Sequence, residues 1–168
     1  PVPDLWQLPE GIGSVVNVPG FDEGTFWVMD PAAAHVADML IRRLGPNSTV
    51  LDACAAPGGK SFRMALRGHK VSAVDKDVQR LDRLQQNKER LNVDLEVLAH
   101  DWMSGACEQI GLFDAVLVDA PCSALGTVRR HPEILWRRQP GDIASMSIVQ
   151  RRILKNASSH VKPGGLLL

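Results

Sequence analysis

The sequence predicts an α/β fold built on a doubly wound, mostly parallel sheet. Three observations predict it. From residue 49 onward, short apolar runs alternate with helix-length segments, the pattern of strands buried on both faces and joined by crossover helices. The first run opens into a glycine-bearing turn and a helix start, "CAAPGGKS". The four complete runs are followed by "CAAPGGK", "DKD", "HDW" and "APCS", polar or flexible groups that this topology gathers at one rim of the sheet, where such folds bind ligands.

Taken in order, residues 1–29 are rich in Pro and Gly with short apolar runs, and read as an irregular extension or edge hairpin ahead of a core spanning 30–168. Asp30-Pro31 is an N-cap followed by proline at the first helical position, and the helix "PAAAHVADMLIRRL" runs to the stop signal Gly45-Pro46. Strand "TVLDA" and helix "KSFRMALR" follow, then strand "KVSAVD" and helix "VQRLDRLQQNKERL", with Leu81, Leu84 and Leu91 at helical spacing. Strands "LEVLA" and "AVLVDA" come next. A long helix is expected from an Asp142 cap to about His160, after which "KPGG" turns the chain into a last strand, "LLL", cut off at the C-terminal edge.

At 168 residues the chain is one domain, or a large piece of one. With 45% apolar and 23% charged residues it has an ordinary globular composition, and no run approaches the roughly 18 apolar residues of a membrane span. Cys54, Cys107 and Cys122 fit neither a disulfide framework nor a zinc site, so no metal is expected and a reducing cytoplasm is. The net charge of zero hides an asymmetry. Residues 1–38 carry six acids and no Lys or Arg, whereas residues 129–168 carry eight Lys and Arg against Glu133 and Asp142. Such segregation suits a face that meets a polyanion.

The turn "LDACAAPGGKS" is neither a GxGxxG fingerprint nor a phosphate-binding P-loop. Its small residues allow close backbone approach to a ligand; a tight strand-to-helix turn is the plainer reading. Asp75, sixteen residues after Gly59, closes the second strand, where an acid is placed to accept from a ribose diol, and Asp101 follows the third, placed to accept from an adenine amino group; a loop acid or helix cap is the other reading of each. NAD and S-adenosylmethionine both suit these features. The fourth strand separates them. A hydride-transfer enzyme has no need of "DAPCS" there, whereas cytosine methylation does. Carbon-5 of cytosine becomes nucleophilic once a thiolate adds to carbon-6, and loss of the C5 proton later expels the thiol.

With "DACAAPGGKS", "DAPCSALGTVRRHPEILWRR" and the preceding "LPEGIGSVVNVPGFDEGTFWVMDPAAAHVADML" in hand, the chain resembles the RNA cytosine-5 methyltransferases. It is most similar to the bacterial group that modifies small-subunit ribosomal RNA, the RsmB (Sun/Fmu) group, and the match runs nearly end to end. The resemblance implies a Rossmann-like S-adenosylmethionine-dependent methyltransferase core. Cys54, Ala55, Ala56, Pro57, Gly58, Gly59 and Lys60 would wrap the cofactor's methionine end, Asp75 would hold the ribose and Asp101 the adenine side. Asp119 would sit between cofactor and base, with Pro121 and Cys122 as the floor of the base pocket. Arg129, Arg130, His131, Trp136 and Arg137 would contact RNA.

The resemblance also implies that the attacking thiol belongs to a second cysteine following the next strand, beyond this chain's "VKPGGLLL". Cys122 would then assist product release, with attack by Cys122 itself as the alternative. On this reading the 168 residues are the core of a longer enzyme, and alone would bind cofactor weakly or not at all and would not turn over. A transfer-RNA substrate, a non-catalytic RNA-binding module and a nicotinamide-dependent oxidoreductase are the other readings kept open. Cys54 reads as a packed small residue, Cys107 and His35 as structural, and Arg151, Arg152 and Lys155 as a solvated helix face.

Overall fold

In the computed structural model, which describes residues 5–9, 11–128, 132–137 and 139–168, the first regular helix is α1, Pro31–Ile41. Its N-cap is Asp30, whose carboxylate accepts the Ala32 N–H at 2.8 Å, and Pro31 occupies the first turn, where a missing N–H costs nothing. The helix stops three residues short of the expected Leu44. Arg43 and Leu44 donate their N–H groups to carbonyls three residues back, a tightened last turn.

Strand β1 (Thr49–Asp52), helix α2 (Gly59–Ala65), strand β2 (Lys70–Asp75), helix α3 (Val78–Leu91), strand β3 (Glu96–Ala99) and strand β4 (Phe113–Leu117) follow in alternation. Then come a four-residue helix α4 (Ile134–Arg137), the long α5 (Pro140–Ser158) and strand β5 (Val161–Leu167). Helix α3 is capped at both ends. Asp77 accepts the Arg80 N–H at 3.1 Å, and Asn92 closes the helix in the left-handed region at φ +49°.

All strand pairs are parallel, in the order β3-β2-β1-β4-β5. Winding proceeds outward from β1 to β3, then returns to the other side of β1 at β4. The crevice of such a sheet opens between β1 and β4, at their carboxyl ends, where Asp52 is paired with Leu117. Successive residues face opposite sides, as the pleat requires. Val50, Val71, Ala73, Ala115 and Leu117 pack with Leu40, Phe62, Met64 and Leu84 of α1–α3. Leu51, Val74 and Val116 pack with Ile153 and Ala157 of α5 and with Trp102 and Cys107. The two helical layers therefore cover both faces, which is why the strands read as continuous apolar runs.

Helices α1 and α2 are joined by a buried ion pair. Arg63 donates to both Asp38 oxygens, at 2.7 and 2.9 Å. That hydrogen bonding holds the Asp38 carboxyl below its usual range, against the opposing effect of burial.

Two further expectations are corrected. Helix α5 is capped by Gln139, not Asp142. Pro140 takes the first turn and Asp142 stands at the third position, its carboxylate accepting the Gln139 N–H at 2.9 Å. "KPGG" is not a turn ahead of β5 but lies inside it. Pairing runs Phe113 with Val161 and resumes at Ala115 with Leu166, so residues 162–165 bulge from the edge, with Gly164 at φ +78°. The described residues before α1 contain a single 3-10 turn, Val15–Asn17, and no strand. They are tied down by Arg90, whose guanidinium donates to the Phe21 and Phe26 carbonyls and lies 4.0 Å from the Phe21 ring centroid. No helix among the described residues is long and apolar enough to cross a membrane.

Candidate active site

The loop leaving β1 is stitched to the strands on either side. Ala53 donates its N–H to Leu117 O at 2.9 Å and Ala55 donates to Val74 O at 3.0 Å. Gly58 then turns the chain into α2 at φ +104°, a left-handed conformation that L side chains rarely adopt. A Cβ at Gly58 would stand 2.7 Å from the Phe62 ring and 2.9 Å from Leu84 Cγ. The glycine is therefore required by packing beneath the loop as well as by conformation.

Strand β2 delivers Asp75, which is 4% exposed. One of its carboxylate oxygens accepts the Ala56 N–H at 3.1 Å and the other the Asp77 N–H at 3.0 Å. Arg80, in the first turn of α3, donates to the Ala56 carbonyl and lies 3.8 Å from Asp75 Oδ2. The β1 loop and the β2 end are thus fixed to each other through one carboxylate and one guanidinium. After β3, Asp101 accepts the Met103 N–H at 2.9 Å, and the turn places Trp102 in the core, edge-on to His100 and His160. After β4, Asp119 pairs with Lys60 at 2.5 Å, and Gln150 of α5 donates to the Pro121 carbonyl at 2.9 Å. Cys122 is exposed, and its sulfur accepts the Ala124 N–H at 3.3 Å.

These four segments surround one cavity of about 640 Å³, within the size range of small-molecule and cofactor sites. Of the sequence-predicted cofactor residues, Cys54, Ala55, Ala56, Pro57, Gly59, Lys60, Asp75, Asp101 and Asp119 line it, and so do Pro121 and Cys122. Gly58 does not; its place is under the loop.

Electrostatics separates the groups here. Burial pushes the Cys54 thiol up to about 12, helped by the carboxylates of Asp75, Asp52 and Asp119. Cys54 is therefore a protonated wall residue at neutral pH. Asp52, 1% exposed, is raised to about 6 by burial, opposed by the Ser61 hydroxyl that donates to it at 2.7 Å.

A family model described as 16S rRNA methyltransferase RsmB/F matches residues 39–168. The chain belongs to the RsmB/F family. It is 44% identical over 159 residues to ribosomal RNA small subunit methyltransferase B of Erwinia tasmaniensis, a match covering 92% of this chain and 36% of that protein. The chain thus spans little more than a third of that relative's length. Among solved structures it superposes on PH0851 with a TM-score of 0.81 and 37% identity, covering 89% of this chain and 34% of the other. NSun6 from Pyrococcus horikoshii, solved with SFG, gives a TM-score of 0.80 and 27% identity over 95% of this chain and 40% of that one. The fold is the Rossmann-like fold of S-adenosylmethionine-dependent methyltransferases.

The cavity of this RsmB/F chain fits an adenosine-type ligand. The indole N–H groups of Trp27 and Trp102, two residues of the cavity wall, are buried and have no partner among the described residues. Atoms closed to solvent offer a ligand no contact, so the fit rests on the acids at the strand ends, Asp75 and Asp101, which supply acceptors for hydroxyl and amino groups. Sequence reasoning gave neither tryptophan a role, nor Met29, Arg80 and Ile153, which also line the cavity. Trp27 and Met29 sit just ahead of the Asp30 cap, and that adjacency to a helix start at the sheet rim was the available signal. Nothing local marks Trp102 except its neighbour Asp101.

The predicted RNA contacts Arg129, Arg130 and His131 lie outside the described residues, as does the side chain of Arg137. Trp136, on α4, is 79% exposed.

Proposed function

We propose that this chain is the cofactor-binding core of an enzyme that methylates carbon-5 of a cytosine in small-subunit ribosomal RNA. The observation that carries the proposal is the convergence of the β1 loop, Asp75, Asp101, Asp119 and Cys122 on a single cavity. S-adenosylmethionine, when bound, supplies an electrophilic methyl group. The 53–60 loop would hold its methionine end, Asp75 its ribose hydroxyls and Asp101 its adenine amino group.

The chain's own residues do the rest. Asp119, neutralised and oriented by Lys60, would accept from the exocyclic amine of an everted cytosine. Pro121 and Cys122 would form the floor beneath the ring. Of the three thiols, Cys107 is buried in the core and Cys54 is held protonated, which leaves Cys122 as the exposed sulfur on the cavity wall. Its assigned role is release of the methylated product, with attack on carbon-6 made by the second cysteine of the family pattern.

Bisulfite sequencing of ribosomal RNA tests the proposal. A strain lacking the full-length gene should lose protection at a cytosine of the small-subunit RNA, and re-expression of the intact gene should restore it. An unchanged pattern of protected cytosines overturns the proposal.

A further inference from the structure

Helix α5 has two faces with different work. Its inner face, with Ile153 and Ala157, packs into the core, and Ile153 also touches the active-site cavity. Its outer face carries Ile148, Arg151, Arg152 and Lys155, which share one side of the helix by their three- and four-residue spacing. Together with Gly105 and Asn156 they line a second, shallow groove of about 450 Å³. Asn156 donates to the Trp102 carbonyl at 2.6 Å, which ties this groove to the same turn that supplies Asp101 and Trp102 to the active site.

We propose that this groove binds the phosphodiester backbone of the substrate RNA, as a second contact beside the methylation site. The inference rests on the RNA reading above and adds a location to it. Three observations separate the groove from an ordinary solvated helix face. No acid lines it, and none of its three cations forms an ion pair among the described residues. The exposed face of α3 carries charges of both signs, Asp82, Arg83 and Glu89, whereas the groove carries one sign only. The helix dipole accounts for Lys155 in the last turn but not for Arg151 and Arg152, which lie further back. Like charges gathered in a concavity without counter-charges repel one another unless a polyanion neutralises them, and guanidinium groups suit phosphate oxygens. Ile148, 68% exposed at the groove's edge, offers apolar contact to sugar or base carbons. The helix that carries the groove also touches the Cys122 segment, since Gln150 donates to the Pro121 carbonyl at 2.9 Å.

The test uses the full-length protein and a transcript of 16S ribosomal RNA. Filter binding is measured across about 50 to 200 mM salt for the wild type and for the variant Arg151→Gln/Arg152→Gln/Lys155→Gln. The variant is expected to lose about tenfold or more in affinity at low salt. The slope of log affinity against log salt should fall by roughly two, the value for about three lost phosphate contacts on single-stranded RNA. Binding of S-adenosylhomocysteine should be unchanged. If the triple variant misfolds, Arg151→Gln and Lys155→Gln are read singly, each expected to lower the slope by about 0.7. Affinity and slope equal to the wild type overturn the groove while leaving the RNA reading intact. A wild type that fails to bind the transcript overturns the RNA reading, and the groove with it.

Discussion

Burial sorts three chemically identical thiols before any reaction is considered. Cys54 lies on the cavity wall among carboxylates, Cys107 is buried in the core, and only Cys122 is both exposed and beside the cavity. Thiol alkylation at about pH 8 followed by peptide mass spectrometry should therefore label Cys122 first and spare Cys54, whose thiol is raised to about 12. Equal labelling of Cys54 contradicts this account. Asp52 gives a second prediction at the same scale. Its folded-state value of about 6 stands above the ordinary 3.8. Below pH 4 the carboxyl is protonated in folded and unfolded chains alike and carries no penalty. Between about pH 4 and pH 6 the unfolded chain loses the proton first, so stability falls, and above pH 6 the loss levels off at about 3 kcal/mol. Urea unfolding of the wild type and Asp52→Asn should show the variant gaining on the wild type across that window, and a pH-independent difference contradicts it. The acids at the strand ends were legible in the sequence because each follows an apolar run. The behaviour of Asp52 and Cys54 was not, since it depends on what covers them from elsewhere in the chain.

Among the elements, the β1 loop shows how a sequence reading can rest on part of its cause. The small residues of "CAAPGGK" suggest close approach of backbone to ligand, and Gly59 does line the cavity. Gly58 is instead fixed by its left-handed φ and by Phe62 and Leu84 below it. Gly58→Ala should cost about 2–4 kcal/mol in unfolding free energy, from backbone strain and overpacking together, and should weaken cofactor binding as the loop shifts. Full stability on urea unfolding contradicts that packing argument. The same distinction explains the two misread elements. Lys-Pro-Gly-Gly has turn composition, yet β4 continues to pair on both sides of it, and the extra residues are absorbed as a bulge. Asp142 has the composition of a helix cap, yet Pro140 ahead of it sets the helix start, so Asp142 supports the cap from inside. Composition names the conformations a segment can adopt; the neighbouring strand or the preceding proline chooses among them.

At the scale of the whole molecule, the order β3-β2-β1-β4-β5 brings four loops together that are distant in sequence. The alternation of apolar runs and helices predicts that convergence, because a parallel sheet wound in both directions leaves a crevice at its reversal point. It does not predict what closes the crevice. Trp27 and Met29, from the irregular segment before α1, line the cavity alongside residues from the strand ends, and that segment is held in place by Arg90 of α3. Contacts of this kind between an irregular segment and a helix leave no periodic trace in the sequence. On the proposed function, this convergence builds an S-adenosylmethionine site with Asp75 as its buried acceptor. Calorimetric titration of S-adenosylhomocysteine into the full-length protein and its Asp75→Ala variant, with NADH as the competing dinucleotide, tests it most directly. S-adenosylhomocysteine should bind and NADH should not, and the variant should bind about 10- to 100-fold more weakly, having lost a charge-assisted acceptor together with the anchor for the Ala56 and Asp77 N–H groups. Binding of NADH, or undiminished binding of S-adenosylhomocysteine to the variant, would contradict it.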